Sequence, residues 1–250
     1  MLIVFLTAVG VGGATVIGAL IGFLFKGLSH KFSNLIVSFA AGIMLSAAVF
    51  GLILPSVEYG GRFGVISAVL GILVGGVCIN LSDRLVPHIQ KIAVRGNERD
   101  QNGNTLRGVL LFVIAIGIHN LPEGIAAGVG FGSGDIENAM LIASGIALHN
   151  IPEGMVIISP MLAAGISPKK TFIFALITGF AEVVGTMIGY FAVSFASAIL
   201  PFALAFAGGT MLYVISEEMI PETHASGDEC KVTYAFLCGF CAMLVLDAVM

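Results

Sequence analysis

The chain has 250 residues, 58% of them hydrophobic and 10% charged, with 33 glycines, a net charge of −4 and a mean hydropathy of +1.05. A soluble domain carries about a quarter of its residues as charge, so this composition excludes a water-soluble enzyme or nucleic-acid-binding protein and describes an all-α polytopic protein solvated by the lipid bilayer. No nucleic-acid partner is expected, because positive charge in such a chain reports orientation rather than partners.

A membrane-crossing helix needs about 20 apolar residues, and eight stretches qualify: roughly 2–25, 32–55, 63–86, 106–130, 138–160, 169–195, 202–221 and 231–250. The first has no basic segment or cleavage site before it, so it is read as a span and not a signal peptide. Eight spans put both termini on one side. Lys26, Lys31, Arg84, Lys91, Arg95, Arg99, Arg107, Lys169, Lys170 and Lys231 fall in alternate connections, and Arg62 stands alone on the other side. This asymmetry predicts both termini outside, extracellular or periplasmic, in a multi-pass protein of the plasma (inner) membrane. Residues 1–250 read as a single transmembrane domain, with one polar cytoplasmic loop over 87–105. Glycines such as Gly10, Gly13, Gly71, Gly76, Gly185 and Gly189 predict close helix contacts. Cys238 and Cys241 have the spacing of a redox or zinc pair, but small apolar fillers of a membrane helix account for them better.

Spans four and five each carry the same hexapeptide pattern, His119-Asn-Leu-Pro-Glu-Gly124 and His149-Asn-Ile-Pro-Glu-Gly154. At about 100° per residue, Glu123 lies between His119 and Asn120 in projection, so its carboxylate can bridge two cations, one served by each neighbour. The same holds for His149, Asn150 and Glu153. Pro122 and Pro152 each remove a backbone donor, which is expected to loosen the helix there. Counting at 1.5 Å per residue from the nearest basic residues places Met44, His119 and Glu182 about 18 Å along their helices. His149 reaches a similar depth from the opposite side, so all four are expected near the midplane. Ionisable residues at that depth default to functional hypotheses, and three buried glutamates would repel unless cations or protons neutralised them. Imidazole nitrogen with carboxylate and amide oxygen suits zinc, iron(II), manganese, cobalt or cadmium better than calcium. Polar side chains that only tie spans four and five together would not explain two copies of one order and spacing.

Nearer the ends, Asp83 and His88, with Glu217, Glu218, Glu222 and His224, lie on the basic side, and Glu58 and Asp247 on the other. Together they trace a cation path, although each alone also reads as an interfacial residue in water.

The duplicated motif and the eight spans resemble the ZIP (Zrt/Irt-like) divalent-metal transporters, and most closely their compact bacterial members. That resemblance implies a binuclear centre at mid-membrane. Its first position would use His119, Glu123, His149 and Glu153 with Met44, and its second Asn120, Glu123, Asn150, Glu153 and Glu182. It also implies Asp83, His88, Glu217 and Glu218 as cytoplasmic release groups and Asp247 as an outer entrance acid; Glu58, read from its place near the outer surface, is a further candidate entrance group. It implies a mobile block of spans one, four, five and six sliding against spans two, three, seven and eight, which often mediate homodimerisation. The divalent cation would be transported substrate, with no catalytic cofactor. An intramembrane zinc hydrolase is the rival of another class, but His-Glu-x-x-His is absent from the chain. A metal sensor would have no extramembrane domain to signal with, and an exporter would use similar ligands.

Overall fold

Inside a bilayer no water pairs with backbone N–H and C=O groups, so each segment has to satisfy them within itself, and a helix does this. The computed structural model describes residues 1–24, 30–93, 103–163, 165–225 and 229–249, and no strand occurs among them. In chain order the helices are α1 (Leu2–Leu24), α2 (His30–Ser46), α3 (Leu54–Tyr59), α4 (Gly64–Ala93), α5 (Gly103–Gly132), α6 (Ile136–Ala163), α7 (Pro168–Phe195), α8 (Leu200–Val214), α9 (Ile220–His224) and α10 (Glu229–Val249). A π-helical stretch, Ala47–Ile53, joins α2 to α3, and another, Ile215–Met219, joins α8 to α9. Seven helices among the described residues are long and apolar enough to cross a membrane: Leu2–Leu24, Lys31–Tyr59, Gly61–Ser82, Ile136–Ser159, Pro168–Phe195, Ser197–His224 and Glu229–Val249. Their outward faces, with Val65, Leu73 and Val77 on α4 and Ile177 and Phe180 on α7, expose large apolar side chains. The chain is a multi-pass membrane protein.

The third span was expected to stop at 86, yet α4 runs through Pro87 to Ala93, and α5 begins at Gly103. One missing donor does not end a helix whose neighbouring turns remain bonded. The same is true at Pro122 and Pro152, where α5 and α6 continue unbroken. The helices deviate instead just before Pro55 and Pro221, each of which follows a π-helical stretch. Pro55 cannot donate to the carbonyl of Gly51, and that carbonyl accepts from the Asn138 side-chain amide at 3.4 Å.

Packing divides the helices into two groups. α5 lies along α7, and α1 lies along both α6 and α7; separately, α4 lies along α8 and α2 along α10. Glycine makes these contacts backbone on backbone. A Cβ on Gly12 would strike the Gly179 carbonyl, one on Gly185 the Leu121 carbonyl, one on Gly42 the Phe236 carbonyl and one on Gly75 the Phe206 carbonyl. Between the groups the glycines meet side chains: Gly51 faces Ile142, and Gly145 faces Ala47 and the tip of Met243. A Cβ on Gly10 or Gly13, by contrast, would meet nothing within 4 Å. Cys78, Cys230, Cys238 and Cys241 are free and exposed, so Cys238 and Cys241 sit on an outward face and fill no gap between helices.

Candidate metal centre

Gly124 and Gly154 place the two motif copies. The absent Cβ lets α5 approach the Glu182 carbonyl of α7, and lets α6 approach the Thr15 carbonyl of α1. One helical turn back along each motif, His119, Asn120, His149 and Asn150 are buried, and so are Glu123 and Glu182. Ligand atoms of Glu123, His149 and Glu153 all lie within 4.8 Å of one another. His149 Nε2 is 3.1 Å from Glu123 Oε2, whereas His119 Nε2 is 3.1 Å from Glu218 Oε1 on the other helix group.

Glu182 sits apart from this trio in a ring of donors. Its Oε1 accepts from the Thr15 hydroxyl and the Asn120 amide, each at 2.6 Å, and its Oε2 accepts from the Asn150 amide. The Asn150 amide also donates to the Val11 carbonyl at 3.2 Å. In consequence Asn120 Oδ1 and Asn150 Oδ1 are buried without a hydrogen-bond partner, as is Glu153 Oε2. Buried acceptors normally find donors, and orphaned oxygens beside imidazole suit a divalent transition metal.

A cavity of about 90 Å³ holds Met44, His119, Glu123, His149 and Glu153. It continues past Val37, Val156 and Met219 to Glu218 and Glu222, toward the helix ends that carry Lys31 and Lys169. On the other side of the cluster, Ala47 and Ala48 of the π-helical stretch after α2 and Leu141, Ile142 and Ile146 of α6 are buried with Met243 of α10. This layer is apolar and packed.

The structure therefore brings Met44 and both motif copies to one place, with Glu182 on the adjoining side. Of the end groups, Glu218 lines the cavity one turn from Glu222, while Glu217 is exposed and does not line it. Asp83 and His88 fall on α4, but their side chains lie outside the described residues. Asp247 lines a surface cavity of about 220 Å³ with Asp135, Glu137 and Asn138. Glu58 is exposed, and its neighbour Tyr59 donates to Asp135 at 3.4 Å. Residue reasoning passed over Asp135, Glu137 and Thr15. Only Thr15 had a usable signal, its place in the buried small-residue stripe Ala8, Gly12, Thr15, Ala19 and Gly22.

A bundle of apolar helices around a buried cluster of imidazole, amide and carboxylate groups defines the class, a polytopic membrane protein with side chains able to hold a metal at its centre. Residues 90–247 match the family model described as ZIP zinc transporter. The chain is 39% identical over 242 residues to the zinc transporter GufA of Myxococcus xanthus, covering 94% of each. It is 33% identical to the zinc transporter ZIPB of Bordetella bronchiseptica, over 94% of this chain and 77% of that one. It is 30% identical to human zinc transporter ZIP11, over 94% of this chain and 93% of that one. The chain belongs to the ZIP family, whose members are transporters and not enzymes.

Proposed function

We propose that this protein carries divalent transition-metal cations, zinc first among them, across the inner membrane into the cytoplasm. The observation that carries the reading is the convergence of both hexapeptides on one buried cluster at the head of a one-sided cavity. The names of the relatives support zinc. The mixed nitrogen and oxygen donors would also accept iron(II), manganese, cobalt and cadmium.

Two metal positions follow from the donors. His119, Glu123, His149 and Glu153, with the Met44 thioether, form the first. Asn120 and Asn150 carbonyls, with Glu123 and Glu153 bridging, form the second, beside Glu182. α5 is the eighth span, since its 30 residues carry His119 and Glu123 against α7 along most of its length. The basic residues put both termini outside, and the chain is one transmembrane domain. A cation enters past Asp247 and Glu58, exchanges water for the central ligands, and leaves along Glu218 and Glu222. Alternating access of the elevator type has α1, α5, α6 and α7 moving as a block against the remaining helices; the side-chain character of the contacts between groups supports it.

Uptake of radioactive zinc into liposomes bearing the purified protein tests this, with His119→Ala plus Glu153→Ala as the control. Saturable uptake that the double variant loses is the expected result. Competition by cadmium, manganese and iron(II) then ranks the substrates. Tight zinc binding without uptake would overturn the proposal in favour of a sensor.

A further inference from the structure

We infer that Asn138 and Tyr59 latch the outer side of the protein shut, each by a hydrogen bond across the seam between the two helix groups. The inference goes beyond the metal centre and the cation path, and it rests on the moving-block reading above.

The Asn138 side-chain amide donates to the Gly51 carbonyl, and the Tyr59 hydroxyl donates to the Asp135 carboxylate, both at 3.4 Å. Gly51 and Tyr59 belong to the second group, and the buried Ser56 hydroxyl between them ties α3 to α8 by donating to the Pro201 carbonyl at 2.6 Å. Asp135 and Asn138 belong to the first group and act as one piece. Asp135 Oδ1 caps α6 by accepting from the Asn138 backbone N–H at 3.0 Å, which leaves Oδ2 for Tyr59. The turn before α6 is fixed too. The Ser133 hydroxyl donates to the Gly130 carbonyl at 2.7 Å and accepts from the Asp135 N–H at 3.1 Å. Sliding one group past the other therefore stretches both cross-group hydrogen bonds together.

The chemistry on each side of the seam suits a reversible catch. Pro55 lies four residues after Gly51 and has no N–H to give its carbonyl, so that oxygen is available to the other group. One turn along α6 from Asn138, the same two segments meet through apolar atoms, where Gly51 lies against the fully buried Ile142. Apolar contact is non-directional and sets no register when helices slide, whereas a hydrogen bond holds only within a narrow range of distance and angle. Both hydrogen bonds exceed the usual upper length of about 3.2 Å, so each is weak and can be broken in every cycle. The central cavity opens at the opposite ends of the helices, and the latch therefore favours the conformation closed to the outside.

Labelling by a membrane-impermeant maleimide tests the latch, in spheroplasts for the outer side and in inverted vesicles for the inner. The full chain, with Cys78, Cys230, Cys238 and Cys241 replaced by alanine, carries an Ile142→Cys thiol beneath the latch or a Val37→Cys thiol in the central cavity. Asn138→Leu keeps the side-chain volume and removes the donor, and it should speed outer labelling roughly two- to tenfold, the scale of one hydrogen bond. Tyr59→Phe should speed it about two- to threefold. Asn138→Asp, which sets a carboxylate oxygen against the Gly51 carbonyl, should have the largest effect. Inner labelling of the Val37→Cys thiol should rise in none of them. Outer labelling that neither Asn138→Leu nor Asn138→Asp changes would overturn the inference. Labelling that rises on both sides would mark general loosening and overturn it as well. An Ile142→Cys thiol that stays unlabelled from outside in every variant, yet reacts once the protein is denatured, would instead overturn the moving-block reading, and the inference with it.

Discussion

The two hexapeptides are alike in residue order and unlike in what they touch. His149 meets Glu123 of the other copy, so its contact stays within the group formed by α1, α5, α6 and α7. His119 meets Glu218, and thus reaches across to the second group. Gly124 seats one copy on α7, and Gly154 seats the other on α1. Duplication therefore supplies the candidate metal ligands, while the neighbouring helices assign them different contacts. One imidazole completes the cluster and the other connects it to the cavity wall.

The largest expected effect would erase the difference between copies. Glu123 belongs to one copy and meets His149 of the other, and Glu123→Gln should bring zinc uptake in proteoliposomes down by about 100-fold or more, since the proposed metal ligand and the His149 partner are lost together. Removing the imidazoles one at a time sharpens the comparison. His149→Ala should weaken zinc binding roughly tenfold, whereas His119→Ala should lower the maximal uptake rate more than the affinity; equal effects on both constants would mean that the Glu218 contact has no separate role. The smallest effect concerns the seats. Gly154→Ala drives a methyl onto a backbone carbonyl and should cost about 1–3 kcal/mol, read as a lower thermal midpoint in detergent. Gly145→Ala should cost less than that, because the tip of Met243 can swing aside.

Much of this was legible from the residues. The spacing of His119, Asn120 and Glu123 put three polar groups on adjoining faces, and counting depth from Lys31, Arg107 and Lys170 brought Met44, His119 and Glu182 to one level. The asymmetry of the copies was not legible, because it depends on which helix packs behind each motif. Thr15 stayed hidden for the same reason: a hydroxyl in an apolar helix is ordinary until a buried carboxylate lies against it. The prolines were read at the wrong positions. Pro122 and Pro152 lie within helices closely packed on α7 and α1, while Pro55 and Pro221 adjoin the π-helical stretches. Glu217 and Glu218 looked equivalent because adjacent residues point about 100° apart and only the fold says which direction faces the cavity.

The one-sided cavity also has an electrical meaning. Filled with water, the recess that reaches Met44 and Glu123 would conduct the potential of its own side inward, so most of a membrane voltage would fall across the apolar layer of Ala47, Ala48, Ile142, Ile146 and Met243. A divalent ion crossing the full potential exchanges about 4.6 kcal/mol per 100 mV. In this conformation nearly all of that work would then be concentrated in a layer only a few side chains thick. On the proposed path, an ion resting among the histidines would sit close to the potential of the cavity side, and its departure along Glu218 and Glu222 would be almost insensitive to voltage.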